Sequence, residues 1–227
     1  MTMRQPVQRI GFLRDLCAGQ DVLHLGCSNW PYTEESDSKG LLLHRDIDAV
    51  AKRCCGLDSD AAGLEALKKL GFSDLMVGDI EHLDDLVEHE CFDVVLAGEV
   101  IEHLNNPGLF LKSAFSLLRP GGVLVVTTVN AYCAFRFAAF ALRGKAGQNE
   151  PVHPDHVAYY SPSTLQLIVK RAGWNVEQLV FYDLGMEHRP HASRWIRLVN
   201  AVAVRLAPQL SDGLIAVCRP SLTTPSR

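Results

Sequence analysis

Hydrophobic positions along this chain fall into two alternating spacings. Short continuous apolar runs occur at Val22-Leu23 with Leu25, Cys54-Cys55 with Leu57, Leu75-Met76-Val77, Phe92 to Ala97 and Val123 to Val126. Runs of this kind predict strands covered on both faces. Between them, apolar residues recur at helical spacing in Val7 to Cys17, in Leu41 to Val50, in Ala61 to Leu70 and from Phe110 to Leu118. Gly71 stands where a left-handed helix cap is usual. Asn106-Pro107 reads as a helix start, a capping side chain followed by proline at the first helical position. The segment Trp30 to Ser38 is polar and predicts irregular backbone. Strands alternating with helices predict an α/β fold: a Rossmann-like, doubly wound, mostly parallel seven-stranded sheet with helices on both faces.

Beyond Asn130 the alternation loosens. Ala131 to Leu142 is apolar and aromatic, Gly144 to Pro154 is rich in breakers, and Ser161-Pro162 opens a helix that stops at Gly173. Val176 to Tyr182 and Leu214 to Cys218 read as the last strands. Helical insertions at about 131–150 and 188–210 predict a small helical cap on a single domain spanning 1–227. In the second insertion Trp195, Leu198, Val199, Val202 and Leu206 form one stripe, and Arg194, Arg197 and Arg205 another. The stripe is either a lid packed on the sheet or a basic amphipathic face that meets a membrane or a lipid-linked substrate.

Composition narrows the classes. A chain of 227 residues with 48% hydrophobic content can bury a full core. Twenty-two basic against 26 acidic residues give no basic field for nucleic acid. The 7 cysteines are odd in number, with no C-x-x-C pair, so they predict small buried hydrophobes in a reducing cytoplasm rather than a disulfide framework. Neither a secretory leader nor a run of about 18 apolar residues is evident, which leaves peripheral contact as the only membrane role.

The chemistry concentrates where strands end. In open α/β sheets, ligands sit at the carboxyl ends of the strands near the reversal of strand order. Here four successive strands end in Gly26-Cys27-Ser28, Asp58-Ser59, Gly78-Asp79-Ile80 and Gly98-Glu99. Gly26 lets the backbone approach a ligand closely. Asp58 is placed to take both hydroxyls of a ribose, and Asp79 to accept from an exocyclic amine. Any one of these acids alone is equally well a helix cap or turn residue.

In their order, V-L-H-L-G-C, G-L-D-S-D, G-D-I, F-D-V-V-L-A-G-E-V-I-E-H-L and L-L-R-P-G-G-V-L-V-V-T-T-V-N resemble the class I S-adenosylmethionine-dependent methyltransferases. The resemblance covers about Asp21 to Asn130 and is nearest the branch that includes quinone-type O-methyltransferases. It implies S-adenosylmethionine as cofactor. Gly26 and Cys27 would face its methionine part, Asp58 with Ser59 the ribose, and Asp79 with Ile80 the adenine, with Glu99 where the strand opens onto the site. His24 stands where that family usually carries an acid. An imidazole hydrogen-bonds but brings no fixed negative charge to the cofactor's ammonium. Ser28 stands where a second glycine is usual.

Methyl transfer needs a base only where the acceptor must lose a proton, and His103, which titrates near neutrality, is the catalytic candidate. It either takes that proton or packs beneath the helix. Glu99, Glu102 and His103 could instead hold a divalent metal, though they serve equally as a capped first turn, and no metal is assigned. His153, Asp155, His156, Tyr159 and Tyr160 either line an acceptor pocket or form a structured loop. Three functions compete: a methyltransferase acting on a small-molecule or lipid- or saccharide-type acceptor, most readily at oxygen; a catalytically silent cofactor-binding relative; and a nicotinamide-dependent oxidoreductase. The last ranks lowest because no G-x-G-x-x-G follows the first strand.

Overall fold

The computed structural model describes residues 5–85, 91–143, 155–183 and 194–221. In chain order the elements are β1 (Val7–Gln8), α1 (Arg9–Cys17), β2 (Asp21–Leu25), α2 (Thr33–Ser38), α3 (Leu43–Asp48), β3 (Arg53–Asp58) and α4 (Ala61–Lys69). There follow β4 (Leu75–Val77), β5 (Phe92–Gly98), α5 (Pro107–Leu117), β6 (Leu118–Val129), α6 (Ala134–Arg143), α7 (Pro162–Arg171), β7 (Trp174–Asp183), α8 (Arg194–Leu206) and β8 (Gly213–Pro220). One sheet runs β1-β7-β8-β6-β5-β2-β3-β4. Only β8 is antiparallel to its neighbours β6 and β7. The expected doubly wound sheet is therefore present, with the two-residue β1 added at its edge against Tyr182 and Asp183.

Period-two alternation sorts the strand side chains into two layers. Leu23, Leu25, Val95, Ala97, Leu124 and Val126 pack against Phe110, Leu111, Ala114 and Leu117 of α5 and Leu165 and Val169 of α7. Val22, Val94, Leu96 and Val125 meet Leu13 and Cys17 from the opposite face, together with Ile47 of α3. His24 belongs to this second face by its place in β2, which brings it beneath α3. Trp174 closes the first layer, stacked on Phe115 at 4.1 Å and donating its indole N–H to the Leu111 carbonyl at 2.8 Å.

Several local expectations change. Residues of the polar segment form α2, a six-residue helix with no apolar face to betray it, led by Glu34 and Glu35 in its first turn. Asn106 does not cap α5 with its side chain. Its backbone N–H and Nδ2 both donate to the Glu81 carboxylate, at 2.8 and 2.9 Å, and these bonds to a charge outcompete a neutral cap. The sheet also claims the Pro120-Gly121-Gly122 breakers, since β6 starts at Leu118. Ser161 does cap α7, in a reciprocal arrangement with Thr164.

All seven cysteines are free, and burial pushes the thiols of Cys17, Cys55 and Cys218 up to about 12, so they stay protonated. Among the described residues no helix is long and apolar enough to cross a membrane. In α8 the expectation of a lid is not met by the stripe residues that can be described: Leu198, Val202 and Leu206 are 54%, 49% and 75% exposed, while Asn200 and Val204 are buried. The side chains of Arg194, Trp195, Arg197 and Val199 lie outside the described residues, as do residues 144–154, which include His153.

Gly213 faces Tyr182 across β7 and β8. A Cβ there would sit 2.1 Å from Tyr182 Cζ, so only glycine lets the ring cross the sheet. Gly213→Ala is expected to lower stability by about 1–3 kcal/mol through overpacking, measured as a reduced urea midpoint at unchanged slope.

Candidate active site

Strand order reverses between β2 and β5: from β2 the chain builds outward through β3 and β4, then returns to the far side of β2 at β5. At that reversal a cavity of about 580 Å³ opens at the carboxyl ends of the strands. Gly26, Cys27 and Ser28 from β2, Asp58 and Ser59 from β3, and Gly98, Glu99 and Val100 from β5 all line it, together with Arg9, His24, Ile80 and Trp30. At one end it reaches Glu102, His103, Asp155 and His156.

Gly26 adopts φ +68, and a Cβ there would meet Val100 Cγ2 at 2.4 Å, so both the turn and the close passage of β5 demand glycine. Cys27 is buried, and desolvation with the nearby Asp58 charge pushes its thiol up, leaving a neutral wall rather than a nucleophile. Asp58 accepts hydrogen bonds from the Ser28 N–H at 2.9 Å and the Asp60 N–H at 3.0 Å. It thereby ties the β2 loop to the β3 loop. A carboxylate has about four acceptor positions, so two remain for a ligand.

Asp79 is not among the lining residues. Its carboxylate accepts from the Glu81 N–H at 2.9 Å and meets His82 Nδ1 at 3.0 Å, which holds it below the usual carboxylate range. Ile80 alone of that pair faces the cavity.

Glu99 holds φ +58, a strained conformation for a residue with a side chain. Its backbone N–H donates to the carbonyl and Oγ1 of Thr127 at 3.1 and 3.0 Å. Its carboxylate takes Arg9 Nη1 at 3.2 Å and the Tyr182 hydroxyl at 2.5 Å. Arg9 and Tyr182 carried no sequence signal, because they reach Glu99 from 90 and 83 residues away.

Glu102 is fully buried and lies on a short turn, Ile101–His103, that follows β5 directly. It accepts from the Thr128 hydroxyl at 2.9 Å, and its carbonyl receives the N–H groups of Val157 and Ala158. Burial, then the Glu99 charge, pushes its carboxyl up to about 7. His103 Nδ1 lies 3.1 Å from the Asp155 carbonyl and its ring meets His156 edge-on at 4.6 Å. Donor atoms of Glu102, His103 and His156 come within 4.8 Å of one another, the described set that could hold a cation. This is not the trio expected from sequence: His156 replaces Glu99, whose oxygens are engaged elsewhere.

The cavity fits an adenosyl cofactor with an amino-acid end. Glycine backbone allows close approach at Gly26, Asp58 retains acceptor capacity, and the buried His24 Nε2 and Arg9 Nε find no hydrogen-bond partner among the described residues. Fold and site together define a doubly wound, nucleotide-cofactor type of α/β protein. Comparison with known proteins makes this specific. The methyltransferase-domain family matches residues 13–179, and the chain belongs to it, within the class I S-adenosylmethionine-dependent methyltransferases. It is 31% identical over 173 residues to a Mycolicibacterium smegmatis protein named as a probable S-adenosylmethionine-dependent methyltransferase, covering 75% of this chain and 58% of that one. It is 26% identical over 186 residues to the mitochondrial ubiquinone biosynthesis O-methyltransferase of Rattus norvegicus, covering 78% and 50%. The chain thus spans about half the length of these curated relatives. Its fold matches a solved SAM-dependent methyltransferase from Archaeoglobus fulgidus with TM-score 0.60 at 16% identity, covering 92% and 90% of the two chains.

The raised Glu102 carboxyl has a consequence for stability. Folding takes up a proton between its ordinary value of 4.5 and about 7, so its contribution falls as pH rises through that window and is level above it. The span corresponds to roughly 3 kcal/mol. Glu102→Gln, which cannot ionise, is expected to flatten the decline in unfolding free energy between pH 5 and 7 relative to wild type, read by denaturant titration.

Proposed function

We propose that the chain is an S-adenosylmethionine-dependent methyltransferase acting on an oxygen of a small-molecule, lipid-type or saccharide-type acceptor. One observation carries this: the ends of β2, β3 and β5 share a single cavity whose far end holds His103, so cofactor-type and proton-accepting groups face one space. Relatives named as ubiquinone biosynthesis O-methyltransferases support transfer to oxygen. The exposed Leu198, Val202 and Leu206 stripe supports keeping lipid-type acceptors in the class.

The cofactor supplies a methyl group already activated on a sulfonium. The chain's work is alignment and exclusion of water. Asp58 holds the ribose hydroxyls with the acceptor positions its backbone bonds leave over, and Ile80 offers apolar surface to the adenine. With Nδ1–H given to the Asp155 carbonyl, His103 takes the acceptor's proton at Nε2. A second reading, favoured by the convergence of Glu102, His103 and His156, is a divalent cation that lowers the acceptor hydroxyl's pKa. Binding of the cofactor without turnover would instead leave the silent form.

Asp58→Ala is expected to weaken S-adenosylhomocysteine binding by about 1.5–3 kcal/mol in isothermal titration; an unchanged affinity removes the ribose role. His103→Gln is expected to slow transfer of a labelled methyl group to an extract component by about a hundredfold or more, with S-adenosylhomocysteine affinity intact. Chelator is expected to leave wild-type transfer unaltered. Loss to EDTA restored by Mg²⁺ hands His103 to the cation.

A further inference from the structure

Helices α6 and α8 contact each other and share a narrow composition. Together they hold five of the chain's 22 basic residues, all arginine, and none of its 26 acidic ones. Apart from the arginines and the indole of Trp195, they carry one polar side chain, Asn200, and it is buried. Apolar exposure gathers around the same helices. Six of the eleven large apolar side chains exposed among the described residues belong to α8, to α6 or to the segments beside α6: Leu198, Val202, Leu206, Phe137, Tyr132 and Val157. The three on α8 recur every fourth residue and so share one face, with Arg205 exposed beside Leu206. Tyr132 lies in the turn before α6, and a bridge between Asn130 and Tyr160 brings that turn beside the segment carrying Val157. Arg136 of α6 lies over the Tyr159 ring at 5.2 Å, and that ring stands 5.6 Å from His156 at the acceptor end of the cavity.

Exposed apolar area of this extent marks an interaction surface, and its chemistry selects the occupant. A second copy would set arginines against arginines, because a two-fold contact repeats one patch on both sides and neither helix carries an acid. A protein partner is specified by directional hydrogen bonds as well as apolar area, and the only polar side chain exposed on these helices among the described residues is guanidinium. A bilayer with anionic headgroups requires just what is present: apolar side chains to enter the acyl boundary and cations at headgroup level. All 26 acidic residues lie elsewhere in the chain, so such a surface attracts this end of the molecule and repels the remainder, which orients the protein on it.

We infer that α6 and α8 dock the protein on an anionic lipid bilayer, with Leu198, Val202 and Leu206 entering the acyl boundary and Arg205 meeting the headgroups. Since α6 borders the acceptor end of the cavity, docking brings that end to the membrane. The inference goes beyond the methyltransferase reading and does not require it, because docking uses no cofactor.

Sedimentation of the full chain with vesicles tests it. The wild type is expected to partition onto vesicles of phosphatidylcholine mixed with phosphatidylglycerol about tenfold or more strongly than onto phosphatidylcholine alone, and less strongly as salt rises. Leu198→Ser combined with Val202→Ser and Leu206→Ser is expected to lower partitioning about tenfold or more. Arg205→Glu is expected to lower it about fivefold or more, and decides the matter should the triple variant lose stability. Both variants should keep the wild-type S-adenosylhomocysteine affinity. A wild type that stays in solution with the mixed vesicles, sediments equally with both kinds, or sediments undiminished after either substitution overturns the proposal. A dimer in sedimentation velocity that the triple variant dissolves gives the face to a second copy and overturns it too. Vesicle binding by a chain that binds no S-adenosylhomocysteine upholds docking and removes the methyltransferase reading alone.

Discussion

The site depends on a constraint at one seam of the sheet. β2 and β5 lie side by side and parallel, with Leu25 opposite Ala97. Past that pair the chain leaves β2 toward β3 and leaves β5 toward β6, so the two tips part and cannot hydrogen-bond to each other. Polar backbone and side chains at the parting must be satisfied by other elements or by a ligand. Gly26 answers one half of the problem by donating its N–H to the Leu57 carbonyl at 2.8 Å, and Glu99 answers the other through Thr127. Among the described residues neither answers His24 Nε2 or Arg9 Nε, and both residues line the cavity.

Glu99 is the costlier answer. A non-glycine residue at φ +58 persists only where its surroundings over-determine it, and here a backbone N–H with two Thr127 acceptors, a guanidinium and a phenol all hold it in place. The phenol arrives only because β8 offers Gly213 beneath the Tyr182 ring. Far-apart parts of the chain are thus committed to the conformation of one residue at the cavity wall.

Most of the strand framework was legible from local pattern, because a strand buried on both faces leaves a continuous apolar run that needs no knowledge of its partner. Gly26, Asp58, Ser59, Ile80 and Glu99 were legible for the same reason, since each terminates or follows such a run. Three kinds of feature were not. The α2 helix has no apolar stripe, its order coming from contacts such as the Thr33 hydroxyl on the Ser28 carbonyl at 2.6 Å. The hydrogen-bond partners that hold Glu99 and Asn106, Arg9 and Glu81, lie 90 and 25 residues away, a separation that carries no periodicity. The pairing of His24 with His44 depends on which face of β2 meets α3, and that follows only once the sheet is assembled. Asp79 differs from the other strand-end acids: it is not among the residues that line the cavity, and its carboxylate meets the turn that follows it.

The short stretch from Gly98 to His103 joins the two halves of the chemistry. Its first residues line the cavity beside His24 and Arg9, and its last residue, His103, lines the same cavity beside Asp155 and His156. Between them lies Glu102, whose carboxyl is raised to about 7 by burial first and by the Glu99 charge second. Glu102 in turn fixes the 155–158 segment through its carbonyl, and the Asp155 carbonyl orients His103. Glu99 and His103 are thus tied together through six consecutive residues and the 155–158 segment, and fixed relative placement of this kind is what an already activated methyl group needs in order to transfer.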